Sequence, residues 1–176
     1  MLNLKFSREN DMVKGLSKRD EDSGYDLYIN PVWFDSIATD GLMILEPGDV
    51  CMFDTGIRTV FSDDYVAIIH ERGSTGSRCM ATRCGVIDSG YRGVWNVMLN
   101  NTAAKDIMIY DPDKIDMDKA KHLFGDDTFI EYPITKAIAQ VVFQKVQKAN
   151  LEEVSVEDIL SVKSERGSGK LGSSGK

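Results

Sequence analysis

Long hydrophobic runs are missing from this chain of 176 residues. Its opening, Met1-Leu2-Asn3-Leu4-Lys5, lacks the charged and apolar regions of a secretory leader. No membrane association is therefore expected, and a cytoplasmic location is. Basic residues are also short, with 21 Lys and Arg against 28 Asp and Glu and a net charge of −7. Binding to a nucleic-acid backbone needs a basic face, so no nucleic-acid partner is expected. Cysteine is scarce: Cys51, Cys79 and Cys84 make an odd number with no C-x-x-C pair. That disfavours both a zinc site and a disulfide framework, leaving reduced structural thiols.

What remains is a chain of single-domain length, 42% hydrophobic, rich in short β-like runs. Residues 25–29, 50–53, 57–61, 65–69, 94–99, 107–110 and 138–143 are rich in β-branched or aromatic residues, and turn signals such as Glu46-Pro47-Gly48-Asp49 separate them. That spacing predicts an all-β sandwich or jelly roll, not alternating βαβ units. Two short helices interrupt it. One is capped by Asp116 and ended by Gly125, and one opens on the box Ser155-Val156-Glu157-Asp158.

Five segments carry polar groups where chemistry can be done. In Ser23-Gly24-Tyr25-Asp26-Leu27 a carboxylate sits inside an apolar run, either facing solvent, reaching a hydrated metal or holding an arginine. Glu71-Arg72-Gly73-Ser74-Thr75-Gly76 combines a guanidinium, hydroxyls and glycines that suit convergence on phosphate oxygens; the alternative is a solvated turn. Gly85-Val86-Ile87-Asp88-Ser89-Gly90-Tyr91-Arg92-Gly93 reads as a hairpin around Ser89-Gly90, with Asp88 as a base beside a pocket walled by Tyr91. Gln140 is an amide among apolar neighbours, either facing a ligand or on an exposed edge. Last, residues 166–176 hold four glycines, three serines and three cations with no acid, but not in Walker order. Such a stretch is either a phosphate-wrapping arm or a plain tail.

In this order the five segments resemble the trimeric dUTPases, the deoxyuridine 5′-triphosphate nucleotidohydrolases, from Gly24 to Gly175. The resemblance implies a jelly-roll-like β-clip subunit, with residues 1–165 as the β domain and 166–176 as a C-terminal arm. It also implies a homotrimer with active sites shared between subunits, and hydrolysis of dUTP to dUMP and pyrophosphate with Mg2+ on the triphosphate. Asp88 would then activate the attacking water, and Val86 and Ile87 would present backbone to uracil. Tyr91 would pack under the deoxyribose and exclude a 2′-hydroxyl. Arg72, Gly73, Ser74 and Gln140 would hold phosphates, Asp26 would meet the metal through water or fix Arg166, and Arg166, Gly167, Ser168, Leu171, Gly172 and Ser173 would close over the substrate. The host is expected to be a bacterium or a phage-infected cell.

The chain departs from the family pattern in several places. Gly73-Ser74 reverses the usual Ser-Gly, and Thr82 stands where an Asn is usual. Ala137 replaces an Arg, with Lys136 as the candidate substitute, and Leu171 replaces an aromatic residue. Residues 111–133 are longer than usual and are expected to be surface ornament or a docking element for a regulatory protein. Two other readings stay open: a dCTP deaminase of the same fold, and a regulatory trimer. Deamination needs a glutamate on the strand after the turn, and Met98 occupies its place.

Overall fold

A computed structural model describes residues 2–83, 85–125 and 127–169. Chain contacts divide it into a unit spanning Met1–Val146 and a second spanning Gln147–Lys176. The first unit is mostly β, and its strands form four small sheets. β1 (Lys5–Arg8) pairs with β5 (Ile57–Val60). β2 (Tyr25–Leu27), β12 (Ala139–Lys145), β6 (Tyr65–His70) and β8 (Val86–Ile87) lie side by side in that order. β4 (Val50–Asp54), β9 (Asn96–Asn101) and β7 (Met80–Arg83) make a third sheet. β11 (Phe129–Pro133), β10 (Asp106–Tyr110) and β3 (Leu42–Leu45) make the fourth.

Period-two burial explains why several of these segments are strands. In β5, Ile57 and Thr59 point inward while Arg58 and Val60 face out. Most inward residues meet in a main core around Trp95, Tyr132, Phe34 and Phe53, all fully buried, and Tyr110, Met117 and Phe129 make a smaller second cluster. Each such side chain contributes about 1.5–3 kcal/mol through removal from water. Phe143 on β12 packs its ring edge-on to those of Tyr25 on the neighbouring β2 and of Phe61, just past β5, at centroid distances of 5.9 and 5.3 Å.

Residues 111–133 are not all ornament. α3 (Met117–Phe124), capped by Asp116 as expected, carries the chain back so that β11 runs parallel to β10, which a tight turn cannot achieve. Tyr132 on β11 is buried in the main core and its hydroxyl donates to the Ala137 carbonyl at 2.6 Å. β11, the last part of this segment, begins at Phe129.

α1 (Pro31–Ile37) and the single-turn α2 (Gly73–Gly76) were not expected from the sequence. Asn30 caps α1, accepting from the Val32 N–H, and Pro31 occupies the first turn. In the second unit, α4 (Val156–Ser161) opens on the reciprocal Ser155–Asp158 box.

Candidate functional site

Three elements bring Asp26, Arg72, Gly73 and Gln140 to one cavity of about 750 Å3. Asp26 lies on β2 and Gln140 opposite it on β12, while Arg72 follows β6. The guanidinium grips Asp26 with both arms, Nε at 2.8 Å from Oδ1 and one terminal nitrogen at 3.3 Å from Oδ2. Its other terminal nitrogen donates to Ser74 Oγ at 3.3 Å. Asp26 is thus the carboxylate that orients Arg72, a role the sequence reading did not assign to this pair.

The turn under Arg72 is fixed by Thr75, fully buried, whose hydroxyl accepts from the Arg72 N–H at 2.9 Å and donates to the Arg72 carbonyl at 3.0 Å. Arg78 donates to the Ser74 carbonyl at 2.9 Å. Gln140 is neither on an edge nor unpaired. It sits on a central strand, half-buried, and its amide nitrogen donates to the Glu71 carbonyl at 2.8 Å. Gly24 leaves room beside it, since a Cβ there would push the Gln140 amide aside.

The Asp88 segment is a turn but not a two-stranded hairpin. The Tyr91 N–H donates to the Asp88 carbonyl at 3.0 Å. Val86 and Ile87 pair backwards with Ile68 and Ala67 of β6, whereas the chain beyond enters the sheet of β4 and β7. The reason is Trp95, fully buried, whose N–H donates to the Ile57 carbonyl and whose carbonyl accepts from Thr55 Oγ1 at 2.7 Å. Those bonds draw the outgoing strand across to the sheet of β4 and β7. Gly85 lets the incoming strand press against the Ile69 backbone, where any Cβ would collide.

Asp88 is exposed at this corner. Together with Val86, Ile87, Tyr91, Asn96 and Met98 it lines a second, smaller cavity of about 300 Å3. Tyr91 lies back over Gly93, its hydroxyl donating to the Val94 carbonyl at 3.1 Å. One wall is therefore aromatic, another apolar, and the polar side chains are the Asp88 carboxylate and the Asn96 amide, which donates to the Val94 carbonyl at 3.2 Å.

A single chain holds the two groups in separate cavities: Asp26, Arg72, Gly73 and Gln140 in one, Val86, Ile87, Asp88 and Tyr91 in the other. In the second unit, Arg166 Nε donates to the Gly169 carbonyl at 3.2 Å, and the Arg166 and Gly167 N–H groups both donate to Ser164 Oγ. Gly167 has φ +53, the left-handed region that favours glycine. Ser168 is described there without a side-chain bond, and Leu171, Gly172 and Ser173 lie outside the described residues.

Lys18, Arg19 and Asp22 also line the larger cavity, and sequence reasoning passed over them. Their signal was the charged run Lys18-Arg19-Asp20-Glu21-Asp22 directly before Ser23-Gly24. Among the described residues no three His, Cys, Asp or Glu side chains gather around a metal position. The cavity's carboxylates, Asp22 and Asp26, are each paired with an arginine. Such a donor set suits a magnesium ion brought in by a ligand's own phosphates better than one held by the protein alone.

Comparison with known proteins fits this geometry. A family model described as dCTP deaminase-like matches residues 2–116. A deoxyuridine 5′-triphosphate nucleotidohydrolase of Anaplasma marginale is 28% identical over 156 residues, 87% of this chain and 82% of that protein. One from Cutibacterium acnes is 41% identical over 61 residues, 33% of this chain and 40% of its own length. Among solved structures, a Staphylococcus bacteriophage 80alpha dUTPase variant with dUpNHpp superposes with TM-score 0.67 at 21% identity, covering 99% of both chains. A variant dUTPase from phage phi11 of S. aureus, in which a structural Mg(II) ion is coordinated, gives TM-score 0.60 at 17% identity over 86% of this chain and 96% of that one. No helix among the described residues is long and apolar enough to cross a membrane.

Proposed function

This chain belongs to the dCTP deaminase-like family, in its dUTPase-type branch, and on that footing we propose that it hydrolyses dUTP to dUMP and pyrophosphate as a homotrimer. The observation that carries the choice of reaction is the strand beyond the turn. β9 reads Asn96-Val97-Met98-Leu99-Asn100-Asn101, and half-buried Met98 lines the cavity of Asp88. No acid is present there to shuttle protons at a cytosine amine, so the one carboxylate at the ring-sized cavity is Asp88.

In this reading Asp88 orients a water and takes its proton as the oxygen attacks the α-phosphorus in line with the leaving pyrophosphate. Tyr91 supports the deoxyribose, and its closeness to Gly93 keeps the ring where a 2′-hydroxyl would clash. The backbone of Val86 and Ile87 reads the uracil edge. Arg72, pre-set by Asp26 so that little ordering remains when the ligand arrives, binds phosphate oxygens with Gly73, Ser74 and Gln140. Because the two cavities are separate within one chain, a second copy is needed to face Asp88 toward Arg72. Arg166, Gly167, Ser168, Leu171, Gly172 and Ser173 complete the enclosure. Magnesium bound to the triphosphate would screen its charge, and Asp26 and Asp22 are the carboxylates that would face it through water.

The test is product analysis on dUTP, dCTP, dTTP and UTP. Pyrophosphate released from dUTP well ahead of the other three is the expected result. Ammonia released from dCTP overturns the assignment.

A further inference from the structure

Lys18 stands apart from the other cations of the larger cavity. Three cationic side chains line it, Lys18, Arg19 and Arg72, against the carboxylates of Asp22 and Asp26. Arg72 is committed to Asp26. Arg19 is committed to Asp22, with Nε at 2.8 Å and a terminal nitrogen at 3.0 Å from its two oxygens. Among the described residues Lys18 Nζ donates to neutral acceptors, the carbonyls of Arg19 at 3.1 Å and Asp20 at 3.3 Å, with the Tyr25 ring centroid 5.5 Å away. Lys18 thus feels the nearby Asp22 carboxylate without bonding to it, and its ammonium is held by exposed bonds that cost little to exchange.

Its position is fixed by the fold. Ser17 bridges to Asp26, whose N–H donates to the Ser17 carbonyl at 2.9 Å. The residue before Lys18 is thus pinned to the residue that orients Arg72. The turn beyond is closed by the Asp22 N–H on the Arg19 carbonyl at 3.1 Å. A flexible four-carbon stem on this rigid base can swing its ammonium toward an anion without breaking an ion pair.

The start of β12 offers no such cation. Ala137 is buried, with its carbonyl taken by Tyr132, and exposed Lys136 is not among the residues lining the cavity. We propose that Lys18, held at the cavity by the amino-terminal segment, binds a phosphate oxygen of the substrate's polyphosphate. This rests on reading the cavity as the phosphate site.

The experiment measures binding of inorganic pyrophosphate with Mg2+ to the full chain by titration calorimetry. It compares the unaltered protein, Lys18→Met, Lys18→Arg and, as a charge control on an exposed lysine, Lys105→Ala. Lys18→Met should weaken binding about ten- to hundred-fold, the scale of one charge-assisted hydrogen bond. Lys18→Arg should recover most of it, and Lys105→Ala should stay within two-fold. Pyrophosphate binding that is undetectable in the unaltered protein, or equal in Lys18→Met, overturns the proposal. The outcomes separate it from the reaction itself. Pyrophosphate binding that depends on Lys18 without dUTP turnover would sink the hydrolysis reading alone. Turnover of dUTP with Lys18→Met binding pyrophosphate normally would sink Lys18 alone.

Discussion

Tyr91 occupies the space that a side chain on Gly93 would fill, so the ring's position depends on the absence of a Cβ two residues later. The hydroxyl then reaches the Val94 carbonyl and closes the loop into a small cap. Gly93→Ala should push the ring aside and cost little stability, since Tyr91 is 43% exposed. Discrimination between dUTP and UTP should fall at least several-fold. Steady-state kinetics on both nucleotides check this, and unchanged selectivity would remove the ring from the specificity wall.

Asp26→Asn should separate orientation from stability. The pair with Arg72 is roughly a third exposed on both sides, so after solvent screening its loss should cost no more than about 1 kcal/mol of folding free energy. Turnover should nevertheless drop by more than about tenfold, because Arg72 must be ordered anew in each binding event. Urea denaturation and turnover assays on the same preparation test both halves. Wild-type turnover in the variant would show that the pair is structural only.

The polar segments were legible in the sequence because each has a local signature: glycines beside Asp26, Arg72 and Asp88, and an amide misplaced in an apolar run at Gln140. The alternating strands were legible for the same reason. β1 was not, because all four of its residues are exposed and only backbone pairing with β5 makes it a strand. α1 was hidden because Pro31 reads as a breaker until the side chain of Asn30 is seen to cap it. The hairpin expectation failed at Trp95, where tertiary burial overrode a local turn signal. Lys18 was invisible because its role depends on which neighbouring charges are already paired.

Tyr132→Phe should destabilise the first unit by about 1–2 kcal/mol. The lost hydroxyl leaves the buried Ala137 carbonyl without a partner. Denaturant midpoints measure this directly, and a midpoint unchanged within error would mean that water replaces the bond.

Thiol labelling should distinguish the two described cysteines. Burial, the largest cause, pushes the Cys51 thiol above its ordinary range, and its sulfur lies 3.8 Å from that of Met43. Cys79 is exposed. Iodoacetamide at neutral pH should modify Cys79 first. Because the thiolate is the reactive form, labelling of Cys51 should keep climbing as pH rises beyond about 8.5, the ordinary thiol value. Peptide mass mapping across a pH series reads the order, and equal rates at neutral pH would contradict the burial of Cys51.

The direct test of the proposed reaction is hydrolysis of dUTP in water enriched with oxygen-18, using the unaltered protein and Asp88→Asn. Attack at the α-phosphorus places the label in dUMP and leaves pyrophosphate unlabelled. The variant should bind a non-hydrolysable dUTP analogue normally while losing at least about a hundredfold in rate, the scale of general-base catalysis. Label appearing in pyrophosphate, or full turnover in Asp88→Asn, would contradict the account.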